Sequence, residues 1–476
     1  MSKTYIGITI SPIDRTFRAA RKTRELWAAS YLFSYLMRLI IKSFHEKGRR
    51  FVVPFVDDEV LKMRNGVGMF PDQCIFESRD NDFEELPGIV HDIITRIVAN
   101  FGNEDYVRSY LQASWCQIST DSDKDAVLVL KTALDTIEQM PSLPTPAKGN
   151  IINEALKESG GRAGFLFDDA NRKKGFPSIF EIATKDISDD LPGGFFDSDE
   201  DDNIIYDRIV KEKRKKNKDF KLKKHYKYIA IVKADGDNLG NAIKKCANDQ
   251  AFSAISLALF EFSKNAHKLI EEYNGTTVYA GGDDLLFFAP VKFGSETIFT
   301  LINELGKAFQ VPGGPTLSFG LSITYNKFPL YEALALADEL LFDAKKKGGR
   351  NAVAIALVKH SGMTTRGVFS KKGPLYDKLE ILTKESVKGK VIPTSLIHTL
   401  LGQEEVLALA CRNSTTASQR IENFLRNSFD EGYNKALDFM ISLVDLIPTI
   451  YAGSGRKEQA ALLETSLRTV AFLQED

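Results

Sequence analysis

From Tyr5 to Ile10 apolar and polar positions alternate, the period of a strand with one buried face. From about Arg15 to Lys47 the apolar spacing changes to three and four, which predicts a long helix. Phe51 to Phe55 again reads as a strand. Strand, helix and strand make an α+β unit over residues 1–120. Residues 121–224 are mixed: a helical stretch Ala126–Gln139, a loop carrying Pro141, Pro144 and Pro146, and a charged linker.

Over residues 225–360 the pattern sharpens. Tyr228–Ala234 is a buried strand, then comes an Asp-Gly-Asp-Asn turn and a helix from about Ala251 to Tyr273. Thr276–Ala280 and Leu285–Ala289 are strands separated only by Gly281-Gly282-Asp283-Asp284, a hairpin signature. A helix near Glu296–Phe309, a strand Leu317–Tyr325, a helix Leu330–Lys347 and a strand Ala352–Leu357 complete the series. This β-α-β-β-α-β order is that of a ferredoxin-like palm. Residues 361–476 are mostly helical and end in an amphipathic Glu458–Leu473.

The palm order brings two distant groups of carboxylates to one sheet edge. Asp235 lies where the first palm strand ends, and that strand neighbours the hairpin bearing Asp283 and Asp284. Mg²⁺ or Mn²⁺ takes oxygen ligands and leaves positions for phosphate and water. Two carboxylates facing a triphosphate are the minimum for a metal-assisted in-line displacement. Gly281 and Gly282 let the turn take positive φ and let a nucleotide approach the backbone. Each motif alone is an ordinary turn; together, between apolar strands, they make a site. The helix ending in Lys345-Lys346-Lys347 adds cations, which favour a helix C-terminus in any case and are placed to meet a triphosphate.

Charge and composition then narrow the field. With 63 basic and 64 acidic residues the net charge is −1, so any nucleic-acid contact must come from local patches. The sharpest patch is basic, from Arg208 to Lys227, after an acidic run from Asp186 to Asp202 without Lys or Arg. Composition reads both as a solvated linker, part of it disordered; the sharper alternative has Lys213–Lys216 touching phosphates. Cys74, Cys116, Cys246 and Cys411 form no CxxC pair and suggest reduced thiols in the cytoplasm. The longest apolar stretch, Leu26–Ile41, is interrupted by Tyr31, Ser34, Tyr35 and Arg38, which excludes a membrane span there. His91-Asp92 lacks the further ligands of a metal phosphohydrolase, and Gly453-Ser454-Gly455-Arg456-Lys457 lacks phosphate-loop spacing. Trp27, Tyr31 and Tyr35 form a helical stripe that reads as core.

Asp235-Gly236-Asp237-Asn238, Gly281-Gly282-Asp283-Asp284 and the Ala344-Lys345 to Arg350-Asn351 region together resemble the large subunit of type III CRISPR effector complexes. The stretch Ala20-Arg21-Lys22-Thr23-Arg24-Glu25-Leu26-Trp27-Ala28-Ala29-Ser30 is similar to the opening of its Cmr (III-B) branch. The resemblance implies an α+β chain of two ferredoxin-like, nucleotide cyclase-like palm units plus helical domains, the first palm without its metal carboxylates. It implies a synthase that makes a second messenger from ATP when the complex binds target RNA, with other subunits, guide RNA and target RNA as partners and no membrane. On matching positions Asp235, Asp283 and Asp284 become metal ligands, Asp283 and Asp284 also catalytic. Gly236, Asp237, Asn238, Gly281, Gly282 and Lys345 become nucleotide-binding.

Departures qualify this. The chain starts at the palm-like unit without the family's HD nuclease, so no DNA cleavage is expected. Gly160–Thr184 carries none of the family's zinc cysteines, so no zinc is expected. The lysine cluster holds one residue more than the cyclase pattern, leaving the phosphate-facing lysine open. The acceptor is equally open: a second ATP ribose gives a cyclic oligoadenylate, whereas S-adenosylmethionine gives an AMP conjugate. A non-catalytic RNA-binding scaffold and a stand-alone diguanylate-type cyclase are the alternatives.

Overall fold

The structure, a computed structural model, describes residues 2–79, 81–101, 104–140, 151–152, 164–172, 175–188, 202–387, 394–428, 437–453 and 455–474. The first unit is an antiparallel sheet in the order β2-β3-β1-β4, formed by β1 (Lys3–Ser11), β2 (Phe51–Val53), β3 (Gln73–Glu77) and β4 (Gln112–Thr120). Ile6, Ile8 and Ile10 of β1 point into a core shared with the helices Thr23–Glu46 and Asp82–Val98, while Tyr5 faces Leu130 of the helix Asp123–Glu138. These helices run in chain order α1 (Ile13–Ala19), α2 (Thr23–Glu46), α3 (Asp58–Lys62), α4 (Asp82–Val98), α5 (Glu104–Tyr110) and α6 (Asp123–Glu138).

The long helix expected from Arg15 to Lys47 is broken. Between α1 and α2 the Glu25 carboxylate accepts from the backbone N–H of Arg21 at 2.7 Å and of Lys22 at 3.3 Å, and so restarts the helix. Apolar spacing runs through this break, which is why periodicity did not register it. β2 is also shorter than expected, because Pro54 cannot donate to the ladder.

The charged linker is in part folded. Beyond α7 (Phe165–Asp169) and α8 (Ile179–Ser188), α9 spans Asp202–Lys216 and buries Ile205, Tyr206 and Ile209 against Phe180 and Ile187 of α8. Charge density hid three apolar positions on one helix face. Residues 189–201, most of the acidic run, lie outside the described residues, as do Pro141, Pro144 and Pro146.

The palm sheet has six strands in the order β12-β11-β10-β5-β7-β6. They are β5 (Tyr228–Asp237), β6 (Thr276–Gly281), β7 (Asp284–Pro290), β10 (Thr316–Tyr325), β11 (Ala352–Val358) and β12 (Thr364–Ser370). A small hairpin, β8 (Lys292–Phe293) with β9 (Glu296–Thr297), precedes the second palm helix. β10 and β11 are parallel and the other neighbours antiparallel. The sixth strand was not expected; its mixed sequence Thr364–Ser370 is that of a half-exposed edge. It carries the palm past residue 360, into what composition assigned to the helical segment.

Alternation along β5 assigns the faces. Ala230 and Val232 pack with α11 (Asp249–Glu272), α12 (Ile298–Ala308) and the carboxyl-terminal helices, which follow α10 (Leu239–Lys244) and end with Arg456–Gln474. Ile229 and Ile231 pack on the opposite face with α13 (Leu330–Lys346) and α2 of the first unit. Segment Gly66–Phe70 of the first unit lies along β6: Gly68 bridges to Tyr279, and the Ala280 N–H donates to the Gly68 carbonyl at 3.0 Å. It covers the sheet edge that leads into the acidic hairpin. No described helix is long and apolar enough to cross a membrane.

Candidate active site at the palm edge

β5 pairs with β10 as far as Asp237, but its pairing with β7 stops at Ala234–Leu285. The strands part at that point. Asp235, the next residue of β5, stays paired with Ser318 of β10 but not with β7. The β6–β7 hairpin closes with Gly281 paired to Asp284, leaving Gly282 and Asp283 as its two-residue loop. Gly282 has φ +68°, the conformation such a turn needs at its first central position. Gly281 is required for space: a Cβ there would meet the Tyr279 hydroxyl at 2.0 Å.

The hairpin tip reaches the end of β5. A Cβ on Gly236 would stand 2.3 Å from Asp283 Oδ2 and 2.8 Å from its Cβ, so the Asp283 side chain lies against the Gly236 backbone. Asp235 is the preceding residue. Only glycine at 236 permits this approach. Asp235 and Asp283, far apart in sequence, therefore meet as the palm order implied.

Their electrostatics follow from that proximity. Burial, and then the charge of Asp235, push the Asp283 carboxyl above the usual carboxylate range. Asp284 is raised further, by the protein mass around it and then by Asp283, Asp235 and Asp72, although its tip reaches solvent. Asp72, just before β3, is exposed at its tip and is raised to about 6 by the protein around it and then by Glu138. Lys131 of α6 acts against the rise at Asp283 and Asp72, and Lys345 against that at Asp283 and Asp284. Tyr279 stays a phenol, held well above its ordinary range by burial and then by Asp284, Asp72 and Asp283.

The structure sorts the three lysines. Lys345 donates to Asp235 Oδ2 and, at 3.1 Å, to the Gly236 carbonyl. Lys346 lies over the Phe342 ring at 4.4 Å, and Lys347 pairs with Asp343 at 2.8 Å. Only Lys345 of the three faces the acids. A second cross-pair, Lys233 with Asp338, ties the same face of β5 to α13.

Asp237, expected to bind nucleotide, is fully buried and already engaged. It accepts from Ser318 and Thr316 hydroxyls at 2.9 Å and from the Asn351 N–H at 2.8 Å. It braces the end of β5 to the starts of β10 and β11, where Gly349, Arg350 and Asn351 all have positive φ. Direct ligand contact by its carboxylate would require breaking this network. Asn238 is exposed, with φ 62° at the start of α10.

Among the described residues, no three His, Cys, Asp or Glu side chains converge into a ready metal cage. Asp235 is paired with Lys345, and Asp283 and Asp284 stand beside it at the hairpin tip. The donor set nonetheless fits a hard divalent cation. Asp235, Asp283 and the Gly236 carbonyl are adjacent oxygens, and Mg²⁺ is ordinarily bound by one or two carboxylates plus substrate phosphates.

Sequence reasoning missed Tyr279, Asp72 and the Thr316–Ser318 brace. The two hydroxyls alternate at the start of β10 and carried a weak signal; Asp72 carried none, because only folding brings it near. His91 and Asp92 lie exposed on α4, and Trp27 is core but also donates to the Gly66 carbonyl at 2.7 Å. Ser454 falls outside the described residues.

A six-stranded palm with an acidic hairpin tip against a strand-end aspartate defines a nucleotide cyclase-like palm protein. Residues 228–354 match the second palm domain of Cas10/Cmr2, and residues 5–119 match the N-terminal domain of the CRISPR-associated protein Cmr2. The chain belongs to the Cas10/Cmr2 family. It is 34% identical over 166 residues to the CRISPR system Cmr subunit Cmr2 of Pyrococcus furiosus, an alignment covering 29% of this chain and 19% of that protein. Its fold resembles a chain of the apo type III-B Cmr-beta complex, with TM-score 0.61 and 12% identity over 95% of this chain and 82% of the other. It also resembles a chain of the Csm1–Csm4 cassette in complex with cA4, with TM-score 0.51 and 14% identity over 99% and 70%.

Proposed function

We propose that this chain is the nucleotidyltransferase subunit of a type III CRISPR effector complex, activated by target RNA and using ATP. The observation that carries this is the Asp283 side chain resting on Gly236 beside Asp235, two acidic segments brought to one open sheet edge. Asp235, Asp283 and the Gly236 carbonyl would hold Mg²⁺ or Mn²⁺, with Asp284 alongside. The cation supplies charge neutralisation and a more acidic attacking hydroxyl. The protein's own part is orientation. Gly281 and Gly282 keep the hairpin free of side-chain bulk where nucleotide enters, Asp237 fixes the strand end, and Lys345 offers a cation to phosphate. The product is a second messenger, a cyclic oligoadenylate or AMP joined to an adenosine compound such as S-adenosylmethionine; either needs a ribose hydroxyl held at the ATP α-phosphate. Family membership and the folds shared with Cmr and Csm subunits support placement in such a complex with guide and target RNA.

The test uses the assembled complex with target RNA, Mn²⁺ and labelled ATP, with and without S-adenosylmethionine. A new labelled product should appear, and Asp283→Ala with Asp284→Ala should lower it by about 10²-fold or more. Unchanged product in that variant would refute the reading.

A further inference from the structure

Resting on the site proposed above, we infer that Lys345 is the internal counter-ion of the cation site, displaced when the metal enters. Its ammonium is bound to the two oxygens that a cation would take, Asp235 Oδ2 and the Gly236 carbonyl. A hard divalent ion needs those oxygens at about 2.1 Å, so ammonium and metal cannot hold both together. The arm is built for exchange. Lys345 leaves the last turn of α13, its side chain is 24% exposed, and its long stem can swing without the helix moving.

The helix itself cannot follow the ammonium. Two contacts fix it: Lys233 with Asp338, and the close approach of Ala337 and Leu341 to Gly320 of β10. Lys346 and Lys347 are occupied with Phe342 and Asp343, so neither replaces Lys345 at the acids. Displacement does two things at once. It lets the cation in, and it releases an ammonium beside the metal where an anionic triphosphate arrives. Cation affinity is weakened by the fraction of molecules in which Lys345 holds the oxygens, while triphosphate affinity depends on the freed amine.

The two ligands should therefore respond oppositely to removal of the amine. Mn²⁺ binding by the full-length chain, read from loss of the free-ion electron paramagnetic resonance signal at fixed pH, should tighten about three- to tenfold in Lys345→Met. ATP binding in the presence of saturating Mn²⁺ should weaken by at least a similar factor. Lys345→Arg, which keeps the charge, should hold Mn²⁺ affinity near the wild-type value and controls for folding. Equal or weaker Mn²⁺ binding by Lys345→Met, with Asp235-dependent binding intact in the wild type, overturns this inference alone. Wild-type Mn²⁺ binding that Asp235→Asn and Asp283→Asn leave unchanged overturns the metal site beneath it.

Discussion

Asp283 and Asp284 illustrate how an acidic sheet edge is held at a cost to the fold. Their carboxyls are raised, so the folded chain keeps protons that the unfolded chain releases near the ordinary carboxylate value of about 4. Stability from this source is greatest below that value and declines as pH rises toward the folded pKa values. Asp283→Asn with Asp284→Asn should therefore raise the melting temperature at pH 7, and the gain should shrink as pH falls toward 4. Thermal unfolding at several pH values without divalent cation checks this; a variant no more stable than wild type at pH 7 contradicts it. The motifs that name these residues were legible in sequence. The brace on Asp237 was not, since its three donors come from β10 and the turn before β11.

At the scale of elements, the position of α13 decides where the Lys345 amine starts. The helix comes so close to the sheet that a Cβ on Gly320 would stand 2.2 Å from the Ala337 carbonyl and 2.5 Å from the Leu341 nitrogen. Backbone on both sides leaves no flexible end to yield. Gly320→Ala should cost about 1–3 kcal/mol in urea unfolding, the usual penalty of overpacking. It should also weaken Lys345-dependent ATP binding, because the helix must lift from β10. Loss of neither stability nor ATP binding would show that α13 tolerates the shift. Long periodic elements such as β5, α11 and α13 could be read from the pattern. The edge strand β12 and the break between α1 and α2 could not, because half-exposed strands and capped breaks leave apolar spacing nearly unchanged.

At the scale of the molecule, the first unit reaches the acidic β6–β7 hairpin through Gly66–Phe70. Trp27 and Arg172 both donate to the Gly66 carbonyl, at 2.7 and 3.0 Å, and Ser34 accepts from the Phe70 N–H at 2.9 Å. The segment then docks on β6 through Gly68, two residues before Gly281 on the partner strand. Trp27→Phe removes one of those donors and should cost about 1 kcal/mol locally. Hydrogen exchange at the Ala280 amide, which the Gly68 carbonyl protects, should speed about fivefold. An unchanged rate at Ala280 would mean that the clamp does not govern the docking.

The sequence alone determined the palm order, the two acidic motifs and the cationic helix end, because each is a local pattern of period, turn and charge. It determined family membership by the same local strings. Only the tertiary structure decided which lysine meets Asp235, that Asp237 is a brace, that Asp72 joins the acidic edge and that the first unit covers β6. Those outcomes depend on distances between segments remote along the chain. Packing of helices on sheets fixes such distances, and no local pattern encodes them.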